Sequence, residues 1–204
     1  MYKYPVIIFE GIEASGKSTN IKIVANYLKK IKRKFIKIRE PGGTKNSEKI
    51  RKLILNKNSN FDVNTDLLLY LAARSENIKL IKKFYKKKII LIDRFTDSTI
   101  AYQHYGMGLD KKIIILLNKY ILKDIKPNFT FLNIVSMKNL KLRLERRLNK
   151  NRYDGFNMNF YKKVQNGYII LSKNKKNYMI VNSNNSIIEN KKIILKKINA
   201  LLYK

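Results

Sequence analysis

Val6 to Thr19 reads VIIFEGIEASGKST, and this stretch decides the fold. The apolar, β-branched run at its start suits a buried strand. Gly11, Gly16, Lys17 and Ser18 follow in the G-x-x-x-x-G-K-[ST] spacing, and helical periodicity begins immediately afterwards. A strand, a Gly-rich turn and a helix start in that order make a phosphate cradle, because consecutive backbone N–H groups converge where the helix dipole also favours negative charge. The candidate ligands of a nucleotide polyphosphate are therefore Gly11, Ile12, Glu13, Ala14, Ser15, Gly16, Lys17, Ser18 and Thr19. Lys17 suits the β- and γ-phosphates and the Ser18 hydroxyl suits Mg²⁺, which makes Mg-ATP the expected donor. Glu13 is unfavourable in an anion-binding loop unless a cation or hydroxyl engages it, so it is expected to face a second ligand or an arginine.

Outward from this loop, short β-branched runs alternate with longer helical periods, the pattern of an α/β domain with a parallel sheet. Strands are expected at Pro5 to Glu10, Phe35 to Arg39, Lys88 to Asp93, Asn128 to Ile134 and Tyr178 to Asn182. Helices are expected near Gly16 to Lys32, Ser47 to Leu55, Asn64 to Tyr85, Lys111 to Leu122, Met137 to Lys150, Asn159 to Lys173 and Ile187 to Leu202. No repeat or linker divides the chain, so residues 1–204 read as one domain, with a lid at about 149–158, where Asn, Asp, Gly and Arg lie between two helices. Asp93 and Arg94 end the third strand, at the edge where open α/β sheets bind ligands. Asp93 suits Mg²⁺ and Arg94 offers a planar fork for a phosphate, while a structural Asp–Arg pair is the other reading of that dipeptide.

Composition narrows the class. A chain of 204 residues buries enough surface, roughly 70% of what it exposes unfolded, to hold together without disulfides, and it has no cysteine. One histidine, His104, makes a histidine-based metal site improbable. Every apolar run is interrupted before membrane-spanning length, and the N-terminus reads as a strand and not a signal peptide, so no membrane association and a cytoplasmic location are expected. There are 45 Lys and Arg against 14 Asp and Glu, a net charge of +31. Such a field attracts polyanions, yet the excess is mostly Lys spread along every surface segment, with no aromatic-and-Arg cluster of the sort that stacks on bases. It reads as compositional bias, and no specific nucleic-acid partner is expected.

FEGIEASGKST, IREPGGT at Ile38 to Thr44, LLLYLAAR at Leu67 to Arg74, DRFTDSTIAYQ at Asp93 to Gln103 and FYKKVQNGYIIL at Phe160 to Leu171 together resemble thymidylate kinases along nearly the whole chain. The resemblance implies a three-layer P-loop NTPase fold of the nucleoside monophosphate kinase kind, with a five-stranded parallel sheet flanked by helices and a short lid. It implies transfer of the γ-phosphoryl group of ATP to dTMP, with Mg²⁺, by a homodimer. It assigns Tyr70, where the family more often has Phe, to stacking on thymine and Arg74 to hydrogen bonding with the base. It gives Arg94 the dTMP phosphate, Glu13 both Arg94 and the sugar 3′-hydroxyl, Thr99 and Gln103 the pyrimidine edge, and Tyr102 the crowding of the 2′ position. Glu13 in the loop with lid arginines, the candidates being Arg143, Arg146, Arg147 and Arg152, resembles the bacterial type, in which Arg152 and Arg147 would be catalytic and Arg143 would anchor the helix. Gly106, Met107 and Gly108 depart from the family, which usually holds an arginine between these glycines. Other P-loop kinases of nucleosides or nucleoside monophosphates, and a nucleic-acid-binding P-loop protein, are the alternative readings.

Overall fold

Val6–Glu10 (β1) is buried at all five positions. Ile7 and Phe9 face one side of the sheet and Val6 and Ile8 the other, which is why Val6 to Phe9 are all apolar and do not alternate. The structure, a computed structural model, describes residues 3–203; Met1, Tyr2 and Lys204, the ends of the expected domain, lie outside the described residues. Phe35–Arg39 (β2), Ile89–Asp93 (β3), Phe129–Ile134 (β4) and Tyr178–Asn182 (β5) complete a five-stranded sheet of order β2-β3-β1-β4-β5. Every pairing is parallel.

The helices are Lys17–Lys30 (α1), Lys45–Leu55 (α2), Val63–Phe84 (α3), Thr96–Thr99 (α4), Lys111–Leu122 (α5), Met137–Glu145 (α6), Met158–Ser172 (α7) and Ile187–Tyr203 (α8). α1 and α8 cover the Ile7 and Phe9 face through Val24, Leu28, Ile194 and Ile198. α3 covers the opposite face through Ile78 and Ile81, beside Phe95 and Ile125. These three layers are the expected P-loop architecture. A further cluster, including Ile12, Tyr102, Leu132, Tyr153, Tyr161 and Tyr168, packs at the carboxyl end of the strands and forms the floor of the site.

Two stretches differ from expectation. The helix expected to reach Lys150 stops at Glu145, and a single 3-10 turn, Arg152–Gly155, follows. Asn151 and Asp154 close a capping box around that turn, so local side-chain bonding competes with continued helix. α4 runs straight into a π-helical segment, Ile100–Gly106, that hydrophobic periodicity does not reveal. This segment packs tightly on α7: a Cβ added to Gly167 would meet the Tyr105 side chain at 2.5 Å.

Candidate active site

β1 and β3 are neighbours in register, with Phe9 opposite Asp93, so the loop after β1 and the turn after β3 emerge side by side. The loop is forced into an unusual path: Gly11 has φ 136° and Gly16 φ 85°. A Cβ on Gly11 would sit 2.3 Å from the Asn133 carbonyl oxygen, so β4 approaches too closely for any larger residue. Gly16 caps α1 without a side-chain bond, and among the described residues the N–H groups of Gly16, Lys17, Ser18 and Thr19 find no acceptor in the chain. These orphan donors at a helix N-terminus fit an anion.

Lys17 is buried and turned back onto the loop, its ammonium donating to the carbonyls of Gly11 at 2.8 Å and Ile12 at 2.7 Å. Burial, together with the nearby Arg94 charge, lowers its pKa from the usual 10.5 to about 8.

Arg94 sits at φ 66°, a backbone state that points its side chain across the end of β1. One guanidinium nitrogen donates to the Gly11 carbonyl at 2.8 Å and the Tyr168 hydroxyl at 3.2 Å; the other donates to Glu13 at 2.7 Å and the Tyr102 hydroxyl at 3.3 Å. Tyr102 also donates a short hydrogen bond to Glu13. The awkward carboxylate of the loop thus has its arginine. Burial holds the Tyr102 and Tyr168 hydroxyls well above the usual tyrosine range, so both keep their protons.

Behind Arg94 lies Glu10, the last residue of β1, whose position in the strand carries no sequence signal of a site. Its carboxylate accepts from the backbone N–H groups of Phe95 and Ser98 and from the hydroxyls of Ser98 and Tyr168. Complete burial, with Asp97 nearby, raises its pKa from 4.5 to about 7 despite these bonds.

A cavity of about 320 Å³ opens over the strand ends. It is lined by Glu13, Ala14, Lys17, Ser18, Tyr70, Asp93, Arg94, Thr99, Tyr102, Gln103 and Arg147, so most expected residues meet in one place. Ser18 and Asp93 offer a hydroxyl and one carboxylate to the same space. Such a hard-oxygen pair fits Mg²⁺ that takes its other ligands from phosphate and water. Among the described residues no cluster of three or more His, Cys, Asp or Glu is placed to hold a metal alone.

A second cavity, about 310 Å³, adjoins the other side of the loop and is lined by Gly16, Thr19, Asn20, Arg143, Ser183 and Asn190 among others. Arg143 donates to the Ala14 and Ser183 carbonyls at 3.1 and 2.6 Å, tying α6 to the loop and the end of β5. Gly11, Ile12 and Ser15 of the loop line neither cavity through their side chains and contribute backbone geometry.

Two expected site residues do not line the cavity. Arg74 lies behind the cavity wall: it is 1% exposed and directs four N–H donors to Glu40, Thr99, Asn118 and the Phe95 carbonyl. Its buried partner Glu40, 2.7 Å away, draws the long side chain past the pocket, although Tyr70 one turn earlier does line it. Arg152 is not among the cavity-lining residues and pairs with Asp66 on α3. Arg147 is the lid arginine that lines the cavity, held by Asp154 at 2.5 Å.

Sequence reasoning missed Arg39, Glu40, Arg51, Asn151 and Tyr153, which also line the cavity. Arg39 and Glu40 belong to IREPGGT and were within reach of the motif; Arg51, on an ordinary polar helix, carried no signal.

Residues 9–194 match the family model described as Thymidylate kinase. The thymidylate kinase of Sulfurihydrogenibium sp. (strain YO3AOP1) is 40% identical over 193 residues, covering 93% of this chain and 94% of that protein. That of Wolbachia pipientis wMel is 41% identical over 167 residues, 79% of this chain and 82% of that protein. The crystal structure of thymidylate kinase from Ehrlichia chaffeensis superposes with a TM-score of 0.77 at 32% identity, covering 96% of this chain and 98% of that one. A phosphate loop, an arginine from the neighbouring strand and near full-length similarity converge on one conclusion: the chain belongs to the thymidylate kinase family.

Proposed function

We propose that this chain phosphorylates dTMP to dTDP with ATP as donor and Mg²⁺ as the metal. The observation that carries the reading is the Arg94–Glu13 clasp, at 2.7 Å, which joins the turn after β3 to the phosphate loop inside one cavity. Donor and acceptor phosphates held on either side of that clasp are in line for direct transfer.

The loop N–H groups and Lys17 hold the β- and γ-phosphates. Ser18 and Asp93 hold Mg²⁺, which when bound neutralises charge on the donor phosphates. Arg94 holds the acceptor phosphate, and Arg147 supplies positive charge where the transferring group gathers it. A phosphate monoester oxygen is already a competent nucleophile, so no general base is needed: it forms the new bond to the γ-phosphorus as ADP departs. Tyr70 stacks on the base, Thr99 and Gln103 meet its edge, and Tyr102 closes the space a 2′-hydroxyl would need. Arg74 acts one layer out, holding Thr99 and Glu40 in place.

The reading extends to assembly and location. Ile113, Leu116 and Tyr120 form an exposed apolar stripe on α5, and Leu68 is exposed on α3, which packs on α5 through Leu67, Leu71 and Ile114. A twofold contact between copies would cover this face, which supports a homodimer. Among the described residues no helix is long and apolar enough to cross a membrane, and a cytoplasmic site of action accords with that.

The test is a coupled ADP-release assay with ATP, Mg²⁺ and, in turn, dTMP, dUMP, dCMP and thymidine. We expect dTMP to be preferred. Preference for thymidine itself would overturn the monophosphate assignment.

A further inference from the structure

Asp66 lies in the first turn of α3, where an acidic residue ordinarily sits in water and favours the helix dipole. Here it is 2% exposed and faces inward. One carboxylate oxygen accepts from the Arg152 guanidinium, and the other from the Tyr153 hydroxyl and, at 3.5 Å, from the Gln103 amide. A charge taken out of water in this way is stable only because donors from two other elements reach it. One carboxylate therefore ties α3 to the 3-10 turn of the lid and to the π-helical segment.

The consequences run straight into the cavity. The Tyr153 ring meets Tyr70 and Tyr102 edge-on, with centroids 6.0 and 5.7 Å away. The same turn carries Asp154, which closes the capping box with Asn151 and grips Arg147. Residues 146–151 have no helix or strand of their own, so Arg147 takes its position from what anchors the turn. The anchor is not permanent by construction: the Arg152 Nε–H is buried without a partner, a penalty that offsets part of the hold.

We propose that Asp66 is a positioning residue for the transfer reaction: its carboxylate latches the lid turn onto the acceptor-base helix through Arg152 and Tyr153, and so sets Arg147 at the cavity. This rests on the acceptor and lid roles given above.

The experiment compares Asp66→Asn, Arg152→Gln and their double variant with the wild-type chain, reading kcat and KM for both nucleotides, and hydrogen exchange of the 146–155 amides. Asp66→Asn keeps shape and loses charge. We expect each single variant to lower kcat about 10- to 100-fold with KM for ATP changed less than about threefold, the double variant to be no worse than either single, and the lid amides to exchange at least about tenfold faster. Asp66→Glu should recover part of kcat. Unchanged lid exchange in both single variants, or losses that multiply in the double, would overturn the latch. Because exchange needs no substrate, a wild-type chain that favours another acceptor would sink the functional reading while leaving the latch measurable. Should Asp66→Asn fail to fold, Arg152→Gln and Tyr153→Phe carry the same comparison.

Discussion

Arg94→Ala separates what the clasp does for the fold from what it does for transfer. Its guanidinium is bonded to Glu13 at 2.7 Å, and the two side chains are 16% and 11% exposed. Removing one member of a fully buried pair costs about 3–5 kcal/mol, and because Glu13 borders a cavity that admits water we take the low end, about 3 kcal/mol. For a chain of this length that lowers Tm by about 6–12 °C. Under the proposed role, an acceptor phosphate that displaces the two weakest partners, the tyrosine hydroxyls at 3.2 and 3.3 Å, gains two charge-assisted hydrogen bonds of about 1.5–3 kcal/mol each, about 3–6 kcal/mol together, or 10²–10⁴ in kcat. Adding Glu13→Gln removes the stranded carboxylate, so the double variant should regain roughly half the lost Tm without regaining turnover. The assays are thermal unfolding and coupled ADP release with dTMP. An Arg94→Ala enzyme within tenfold of wild-type kcat, or a double variant whose activity returns with its stability, would refute the assignment of the acceptor phosphate to Arg94.

Lys17, with its pKa lowered to about 8, should impose an alkaline fall on kcat/KM for ATP, tenfold per pH unit beyond that point; a profile flat to about pH 9.5 would contradict its role. Glu10 has a folded pKa of about 7 above an unfolded value near 4.5, so the folded state binds its proton more tightly and this contribution to stability is full below pH 4.5 and lost as pH rises toward 7. The difference in unfolding free energy between wild type and Glu10→Gln should therefore move against wild type by about 3 kcal/mol between pH 4.5 and 7.5, read by urea titration at each pH. Gly167→Ala should destabilise by about 1–2 kcal/mol despite a better helix propensity, because the new methyl meets Tyr105 at 2.5 Å; a more stable variant would show that α7 and the π-helical segment are not so closely packed.

The strands were legible because burial on both faces leaves an apolar run that no helix or loop needs: Val6–Glu10 and Ile89–Asp93 were found within one residue of their bounds. The loop was legible because its glycines answer to backbone geometry, as Gly11 pressed against Asn133 shows. Side-chain direction was not. Asp66, Tyr70 and Arg74 are spaced four apart on one face of α3, yet only Tyr70 lines the cavity. Asp66 turns to the lid and Arg74 to Glu40, each drawn by a partner distant in sequence. Periodicity assigns a face, and a long side chain on that face still chooses among partners that spacing does not contain. The π-helical segment escaped for a related reason, since the 3.6-residue template cannot register a wider turn.

The charge of the chain has two parts that behave differently. Of the 45 basic residues 36 are Lys and nine are Arg, and apart from buried Lys17 the described lysines are scattered over exposed or half-buried positions. Seven of the nine arginines, Arg39, Arg51, Arg74, Arg94, Arg143, Arg147 and Arg152, line the two cavities or brace their walls. Besides the exposed Arg39–Glu48 pair, four of these, Arg74, Arg94, Arg147 and Arg152, are paired with Glu40, Glu13, Asp154 and Asp66, which are four of only 14 acidic residues. A planar, always-charged fork can satisfy a carboxylate and still present N–H groups elsewhere, whereas an ammonium is a point charge whose pKa falls on burial, as Lys17 shows. The chain thus tolerates a heavy surplus of lysine outside while the site depends on arginine geometry. It follows that Arg→Lys changes at these four positions should disturb the enzyme more than the loss of several surface lysines, although the first leaves the net charge unaltered and the second does not.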